Sequence, residues 1–472
     1  MQIDDIDHTV PADSIGDKMT GKVDPERVAE LTKTMEDTLR TRTNKSGAFL
    51  EDAARVLPGG VASSFQEHPP HPVYIVEGHG SRVTDLDGNE YADFHNGFGV
   101  MVVGHAHPII AGAIAEAAHH GTHFAAPNEA SVRVATELSR RFRLPKVRFS
   151  NSGTEATLDA IRLGRAFTGK DGLAKIEGSY HGHHDAVMVS VHPDPEAMGP
   201  RARPVSVPQT AGIPKALLDA TVVVPFNDPD ALDAVLTDND DIGTMIIEPI
   251  MMNIGVVPPL PGYLEAVREI TAKHGVVLIF DEVKTGATIA AGGVVEMYNV
   301  VPDIVALAKA TGGGTPIGAI VGSEEIMDLI TDGTVAQFGT FNGNPLTMAA
   351  AEATLTQVLN AEAYRRLDQA GTRMLDGCQA VCDEYGLPAH SVGVSSKGCV
   401  MFSSEPVTDF RSYIAGFDEE LNYLGWLYHM VNGVYMTPGA DEQWTLSIKH
   451  TDGELDHYIA VFEEFARDIT ST

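Results

Sequence analysis

The stretch Asp303-Ile-Val-Ala-Leu-Ala-Lys309-Ala-Thr-Gly312-Gly313-Gly314-Thr-Pro316-Ile-Gly318-Ala-Ile-Val-Gly322 organises the rest of the chain. The apolar run Ile304 to Ala308 is bounded by Pro302 and a glycine cluster, the pattern of a short buried strand. It delivers one lysine, Lys309, into a loop with three consecutive glycines behind it. A lysine beside an apolar strand is costly to bury as a cation, so it is exposed, paired or used covalently. Read alone, Lys309 is an ordinary loop lysine, and only its company elsewhere in the chain changes that reading.

Working outward from it, short apolar runs recur at Val222–Val224, Met245–Ile247 and Val276–Phe280, with helical stretches such as Tyr263–His274 between them. Lys146–Phe149 reads as a strand followed by a helix from Thr154 to Phe167, and Ile109–His120 reads as an alanine-rich helix. This alternation predicts an α/β fold with a mostly parallel sheet covered by helices on both faces. Before it, Asp24-Pro25-Glu26 opens a helix, a second helix spans about Phe49 to Val56, and Pro58-Gly59-Gly60 stops it. Val73–Val76 and Arg82–Asp87 predict a small antiparallel sheet with a turn at Asp87-Gly88. Residues 1–22 lack periodicity and read as a mobile tail. The expected division is an N-terminal part over 1–90, a large domain over 91–345 and a smaller α/β domain over 346–472, with the N-terminal part joining the small domain.

The chain has 472 residues, with 65 acidic side chains against 33 basic ones and a formal charge of −32. Such a balance argues against nucleic acid and anionic membrane as partners. It suits either an ordinary acidic cytoplasmic enzyme or one adapted to high salt. No apolar run is long enough for a membrane span, and the acidic N-terminus lacks a secretory pattern. Cys378, Cys382 and Cys399 lie late in the chain and make no disulfide framework, so a reduced, cytoplasmic setting is expected.

Four stretches fall at strand ends, where open α/β sheets place ligands. Ser150-Asn151-Ser152-Gly153-Thr154-Glu155-Ala156 sits at a strand-to-helix turn, where hydroxyls and backbone amides can cradle a phosphate. Gly178-Ser-Tyr180-His181-Gly182-His183-His184-Asp185 supplies an aromatic ring and histidines. Phe280-Asp281-Glu282-Val283 ends the most apolar run with two acids, and a buried carboxylate there needs a cationic partner. The fourth is Lys309. Together, phosphate cradle, aromatic platform, buried aspartate and lysine describe a pyridoxal-phosphate site.

On these residues, and on Asp87-Gly-Asn-Glu-Tyr91, Gly104-His-Ala-His-Pro108 and Gly339-Thr340-Phe-Asn-Gly-Asn344-Pro345, the chain resembles the class III aminotransferases of fold type I. The subgroup it is most similar to is the glutamate-1-semialdehyde 2,1-aminomutases, from about Leu57 to Phe465. The resemblance implies a seven-stranded-type sheet in the large domain, and Lys309 as the Schiff-base lysine. It makes Asp281 the partner of the pyridine nitrogen, with Val283 on one ring face and Tyr180 on the other. Ser152, Gly153 and Thr154 become the phosphate turn, and His181 and Glu248 stand near the cofactor. Thr340 matches a threonine that reaches the neighbouring subunit's phosphate, which implies a homodimer with shared sites. Pyridoxal phosphate is the implied cofactor, with a pyridoxamine phosphate form in turnover.

His105-Ala-His107 and His181-Gly-His183-His184 look metal-like in composition but belong to the family pattern, so no metal is expected.

The pattern breaks at Pro58-Gly-Gly-Val61-Ala62-Ser63-Ser64-Phe65-Gln66: Gln66 stands where the aminomutases carry a carboxylate-binding arginine. A neutral amide forgoes a charge-assisted grip of roughly 1.5–3 kcal/mol. Lys284, after Asp281-Glu-Val283, is either a replacement cation or a structural lysine, and Arg201 and Arg203 of the stretch 194–213 are further cations that could meet an anionic substrate. Glu442 and Lys449 fall near where the family closes over its substrate. The expected activity is amino transfer between an amino compound and a keto acid or aldehyde. Intramolecular transfer by an aminomutase is the alternative, followed by an amino-acid racemase, with a catalytically retired cofactor-binding protein outside the enzyme class.

Overall fold

The computed structural model of the protein describes residues 23–439 and 441–470. The expected N-terminal tail lies outside the described residues.

Among the described residues, fourteen strands in three sheets make the frame, namely β1 (Ile75–His79), β2 (Arg82–Asp85), β3 (Glu90–Asp93), β4 (Lys146–Ser150), β5 (Gly172–Ile176), β6 (Thr221–Val224), β7 (Ile242–Ile247), β8 (Val277–Asp281), β9 (Ile304–Ala308), β10 (Gly318–Gly322), β11 (His390–Val394), β12 (Lys397–Met401), β13 (Val434–Tyr435) and β14 (Trp444–Thr445). The central sheet has the order β4-β10-β9-β8-β7-β5-β6. All its neighbours are parallel except those of β10, which runs against both β4 and β9. Strands β5, β7, β8, β9 and β10 are buried along their whole length. Both faces are therefore covered, which is why these segments read as unbroken apolar runs rather than alternating ones. The helix Gly153–Thr168 packs across β7, β8, β9 and β10.

The register around β10 fixes the site. Gly318 pairs with Ala308 on one side and with Ser150 on the other. The carboxyl ends of β4 and β9 thus lie one strand apart, and the residues just past each, Ser152–Thr154 and Lys309, emerge on the same edge. A Cβ at Gly318 would come within 2.2 Å of the Ser152 carbonyl and 2.3 Å of Ser150 Oγ. Only hydrogen fits at that position.

The smaller sheets tie distant parts together. β1-β2-β3-β13 joins residues 75–93 to Val434-Tyr435, with β13 parallel to β3. β11-β12-β14 sets Gly398 opposite Trp444. The helix Pro25–Arg42 packs on Glu419–Val431, and Ala361–Tyr385 packs on Asp452–Thr470. The β2–β3 turn forms at Asp87-Gly88, where Gly88 has φ 90°.

The second helix differs from its expected bounds. It runs Asn44–Ala53, five residues earlier than its apolar pattern starts. The reason is tertiary: the Asp87 carboxylate accepts from the Lys45 and Ser46 amides at 2.8 and 3.1 Å. Those amides start the helix and have no partner within it, so a side chain from a loop some forty residues on caps it. Val56, counted in the apolar pattern, lies exposed beyond the helix end.

Replacing Gly318 by alanine is expected to force β4 and β9 apart at the site's edge. Overpacking of this kind costs about 1–3 kcal/mol. Thermal denaturation is expected to show a lowered midpoint, and equilibrium dialysis a weaker hold on inorganic phosphate at the Ser152–Thr154 turn. An unchanged midpoint and phosphate affinity would contradict the packing argument.

Candidate active site

At the carboxyl edge of the central sheet lies a cavity of about 400 Å³, lined by the ends of β4, β8 and β9 and by the loops beyond them. Lys309 is the first residue past β9 and adopts φ 48°, in the left-handed region, at the start of a single turn Lys309–Gly312. Its amine has no hydrogen-bond or ion-pair partner among the described residues. Burial, and then the positive charge of Lys284, push it down from the ordinary lysine value to about 8. A lysine in that state has a far larger neutral, nucleophilic fraction near neutral pH than an ordinary lysine.

Asp281 is the last residue of β8 and is buried. Its Oδ1 accepts from the Val283 amide at 3.0 Å, and its Oδ2 lies 2.8 Å from His181 Nδ1. A carboxylate can only accept, so Nδ1 carries the proton in this pair. His181 is itself buried and its Nε2 has no partner among the described residues. The histidine therefore stands behind the aspartate and holds its orientation.

The turn after β4 makes the third corner. Ser152 Oγ caps the helix Gly153–Thr168 by accepting from the Glu155 amide at 3.2 Å. The amides of Gly153 and Thr154, the first two of the helix, stay open to the cavity, and such a helix start favours an anion. A Cβ on Gly153 would meet Val283 Cγ1 at 3.0 Å, so the turn and Val283 sit in near contact across the site. Thr154 Oγ1 lies 3.1 Å from His183 Nδ1.

Tyr180 lines the opposite wall. Its backbone amide donates to Glu248 Oε1 at 2.8 Å, while Oε2 accepts from the Met252 amide at 3.0 Å and from Asn253 Nδ2 at 2.8 Å. Burial pushes the Glu248 carboxyl up. Glu248 thus knits two loops together beneath the tyrosine. The Tyr180 ring meets Phe65 edge-on at 5.7 Å, and Phe65 meets Phe98 at 5.5 Å.

The expected substrate residues are placed differently from one another. Gln66 Oε1 accepts from the Ala62 amide at 3.1 Å within its own short turn, and it is Phe65 beside it that lines the cavity. Lys284 does line the cavity. Its amine donates to the Met252 carbonyl and to Glu442 Oε2, both at 2.7 Å, and also pairs with Asp441. Glu442 is fully buried behind it and is shared with the fully buried Lys397 at 2.7 Å. Burial opposes the Lys284 charge, but Asp441 and Glu442 outweigh it and hold this amine above the ordinary lysine value. Likewise Lys284 and Lys397 overcome the burial of Glu442 and hold its carboxyl down. Thr340 is exposed and does not line the cavity within one chain. Arg201 pairs with Asp409, and Arg203 lies 3.3 Å from Asp238; neither lines the cavity. Lys449 packs against Gly104, outside it.

Of the metal-like histidines, His105 Nε2 pairs with Asp93 at 2.6 Å, and no group of three or more His, Cys, Asp or Glu among the described residues is arranged to hold a metal. Cys378 and Cys382 are buried core residues. Several lining residues escape sequence reasoning, among them Phe65, Phe98 and Asp441. Phe65 and Asp441 each sit one position along the chain from a residue whose type does draw notice, Gln66 and Glu442. Phe98 carries φ 55°, a conformation that the sequence does not announce.

A nucleophilic amine, an anion-binding helix start, a buried acceptor-only carboxylate and an aromatic wall are the donor set that pyridoxal phosphate requires, so these residues fit it. A model of the family described as Aminotransferase class-III matches residues 63–410. The chain is 38% identical over 425 residues to glutamate-1-semialdehyde 2,1-aminomutase 2 of Brevibacillus brevis, covering 88% of this chain and 96% of that protein. An omega-transaminase from Sphaerobacter thermophilus superposes with a TM-score of 0.85 at 33% identity, covering 90% of this chain and 97% of that one. A glutamate-1-semialdehyde-aminomutase from Pseudomonas aeruginosa PAO1, in complex with PMP, superposes with a TM-score of 0.87 at 28% identity, covering 95% and 99%.

The state of Lys309 can be read without any cofactor. With its amine at about 8, the neutral fraction rises through that pH and then levels. Reductive methylation of the apoprotein by formaldehyde, followed at Lys309 by peptide mass spectrometry, is expected to show a midpoint there. A midpoint near about 10.4, the value of a solvated lysine, would contradict the burial argument.

Proposed function

Because the chain belongs to the class-III aminotransferase family, we propose that Lys309 and Asp281 are its catalytic pair, in an enzyme that moves an amino group from one small amino compound to a keto acid or aldehyde. Enzymes of this family depend on pyridoxal phosphate. Bound here, that cofactor would supply an exchangeable aldehyde and a ring that withdraws electrons from the reacting carbon. The observation that carries the reading is the unpartnered amine of the half-buried Lys309, in a cavity that also holds Asp281 and the open helix start.

Each residue's part derives from its surroundings. With its amine lowered to about 8, Lys309 Nζ keeps a neutral fraction near physiological pH that can attack a carbonyl and, when free again, take and return a proton at the same atom. Asp281 offers a negative charge to a protonated ring nitrogen, and His181 keeps the carboxylate from turning away. Ser152, Gly153 and Thr154 hold phosphate at the helix start. Val283 and Tyr180 confine a planar ring, and Glu248 fixes the loop from which Tyr180 projects.

Transfer between two molecules is favoured by the cavity's lining, which among the described residues includes no arginine. The second reading, intramolecular transfer, is favoured by the aminomutase of Brevibacillus brevis at 38% identity. Incubation of the holoenzyme with glutamate-1-semialdehyde separates them. Little or no 5-aminolevulinate is expected, together with loss of cofactor absorbance when amines or amino acids are added. Efficient 5-aminolevulinate formation without an added donor would establish the second reading instead. Lys309→Ala is expected to abolish turnover in either case, and a borohydride-reducible linkage at another lysine would overturn the assignment.

A homodimer is part of the same proposal. Thr340 lies between Phe338 and Phe341, which are 92% and 59% exposed in one chain, an unusual exposure for aromatic side chains. A partner surface covering them would bring Thr340 toward the neighbouring phosphate site. We also place the enzyme in the cytoplasm, and we retain the division at residues 91 and 346, with the four-stranded sheet linking N- and C-terminal parts in support. No helix among the described residues is long and apolar enough to cross a membrane. Light scattering of the holoenzyme is expected to give twice the chain mass of 50.4 kDa. A fully active monomer at assay concentration would contradict the shared site.

A further inference from the structure

Resting on the amino-transfer reading above, we infer that Asp441 is a specificity residue that selects an amino donor carrying a second positive charge at its far end and disfavours one carrying a carboxylate there.

The inference comes from counting donors and acceptors along the cavity wall. Lysine has three donors and no acceptor. Those of Lys284 are engaged by the Met252 carbonyl, Asp441 and Glu442. Both Glu442 oxygens are in turn occupied, one by Lys284 and the other by Lys397. Only one Asp441 oxygen is used, and the second has no partner among the described residues. Asp441 lines the cavity while Glu442 and Lys397 do not. A cluster of two lysines and two carboxylates therefore balances in charge but is not symmetric toward the ligand. It presents to the cavity a free acceptor and no free donor.

The other charged lining residues do not offset this. Lys309 and Asp281 belong to the cofactor, and Glu248 is already engaged by two amides and Asn253. Gln66 points its carbonyl at its own turn. A carboxylate on the far end of a substrate would find every Lys284 donor already engaged and would meet the unpartnered Asp441 oxygen, to which it can donate nothing. An ammonium group would instead gain a charge-assisted hydrogen bond. Phe65, Phe98 and Tyr180 line the same cavity, apolar to a methylene stem and attractive to a cation through their faces. The substrate class that fits is a diamine or another basic amine. An acceptor with a neutral far end suits the same wall.

Three donors of equal chain length that differ only in the far group test this: cadaverine (cationic), n-pentylamine (neutral) and delta-aminovalerate (anionic). Each is mixed with the pyridoxal-phosphate holoenzyme, and kcat/KM of the half-reaction is read from the loss of cofactor absorbance. Cadaverine is expected to exceed pentylamine by about tenfold, beyond the statistical factor of about two from its second amine, and aminovalerate is expected to be the poorest. The difference should lie mainly in KM, because the far group is recognised alike before and during reaction. Asp441→Asn is expected to bring the cadaverine-to-pentylamine ratio toward the statistical factor, and Asp441→Glu is expected to restore part of it. These variants also control for the chain's overall negative charge, which draws cations to every site alike. A wild-type ratio at the statistical factor, a ratio unchanged in Asp441→Asn, or aminovalerate as the best donor would each overturn the assignment of Asp441 while leaving amino transfer intact. Should none of the three discharge the cofactor while glutamate-1-semialdehyde yields 5-aminolevulinate unaided, the amino-transfer reading itself falls, and this inference with it.

Discussion

The pairing of Gly318 with Ala308 on one side and Ser150 on the other governs the geometry of the site. Because β10 runs against both its neighbours, β4 and β9 run in the same direction and end on the same edge. Two chemical groups are thereby set side by side: an open helix start after β4 and a lysine after β9. The contact is so close that a Cβ at Gly318 would overlap the Ser152 carbonyl. A packed interior transmits such an overlap rather than absorbing it, so this glycine sets how closely the helix start and the amine approach.

Around that frame the protein buries charge in three ways. His181 and Asp281 form a pair in which one partner orients the other. Glu248 is buried without a salt bridge and is satisfied by amides, with burial pushing its carboxyl up. Lys284, Asp441, Glu442 and Lys397 form a connected network beside the cavity. Buried pairs contribute little net stability because desolvation offsets attraction, yet losing one partner is costly. What such a network supplies here is position: it holds one carboxylate oxygen at the cavity wall and keeps every Lys284 donor engaged. Lys309 is different from all of these. It is left without a partner, and the same burial that penalises its charge makes its neutral form available for chemistry.

Much of this was legible in the chain. The apolar runs at Val276–Phe280 and Ile304–Ala308 named two central strands, because strands buried on both faces have no polar positions to obscure them. Lys309 and Asp281 could be singled out because each stands at the end of such a run, whereas the Ser152–Thr154 turn follows the alternating strand β4 and Tyr180 lies four residues past β5. Other features could not be read this way. The start of the helix Asn44–Ala53 is set by Asp87, far along the chain. Gln66 was noticed for what it lacks, while its neighbour Phe65 is the residue that faces the cavity, a matter of which way one short turn points. Lys284 was left between replacement cation and structural lysine, and it proves to be a cavity-lining lysine whose donors are all engaged.

By itself the sequence determined the buried strands β7, β8 and β9 but not β10, the order in which chemical groups arrive at strand ends, and the family whose spacing those groups share. These are properties of local pattern: hydrophobic periodicity, glycine and proline punctuation, and residue type at a strand's end. The tertiary structure alone decided which groups share a wall and which are already satisfied. Asp441 and Lys284 are 157 positions apart, and Lys397 reaches Glu442 across 45. Whether a lysine beside a cavity can grip a substrate depends on how many of its donors are taken, and partners that far along the chain leave no trace in its local pattern.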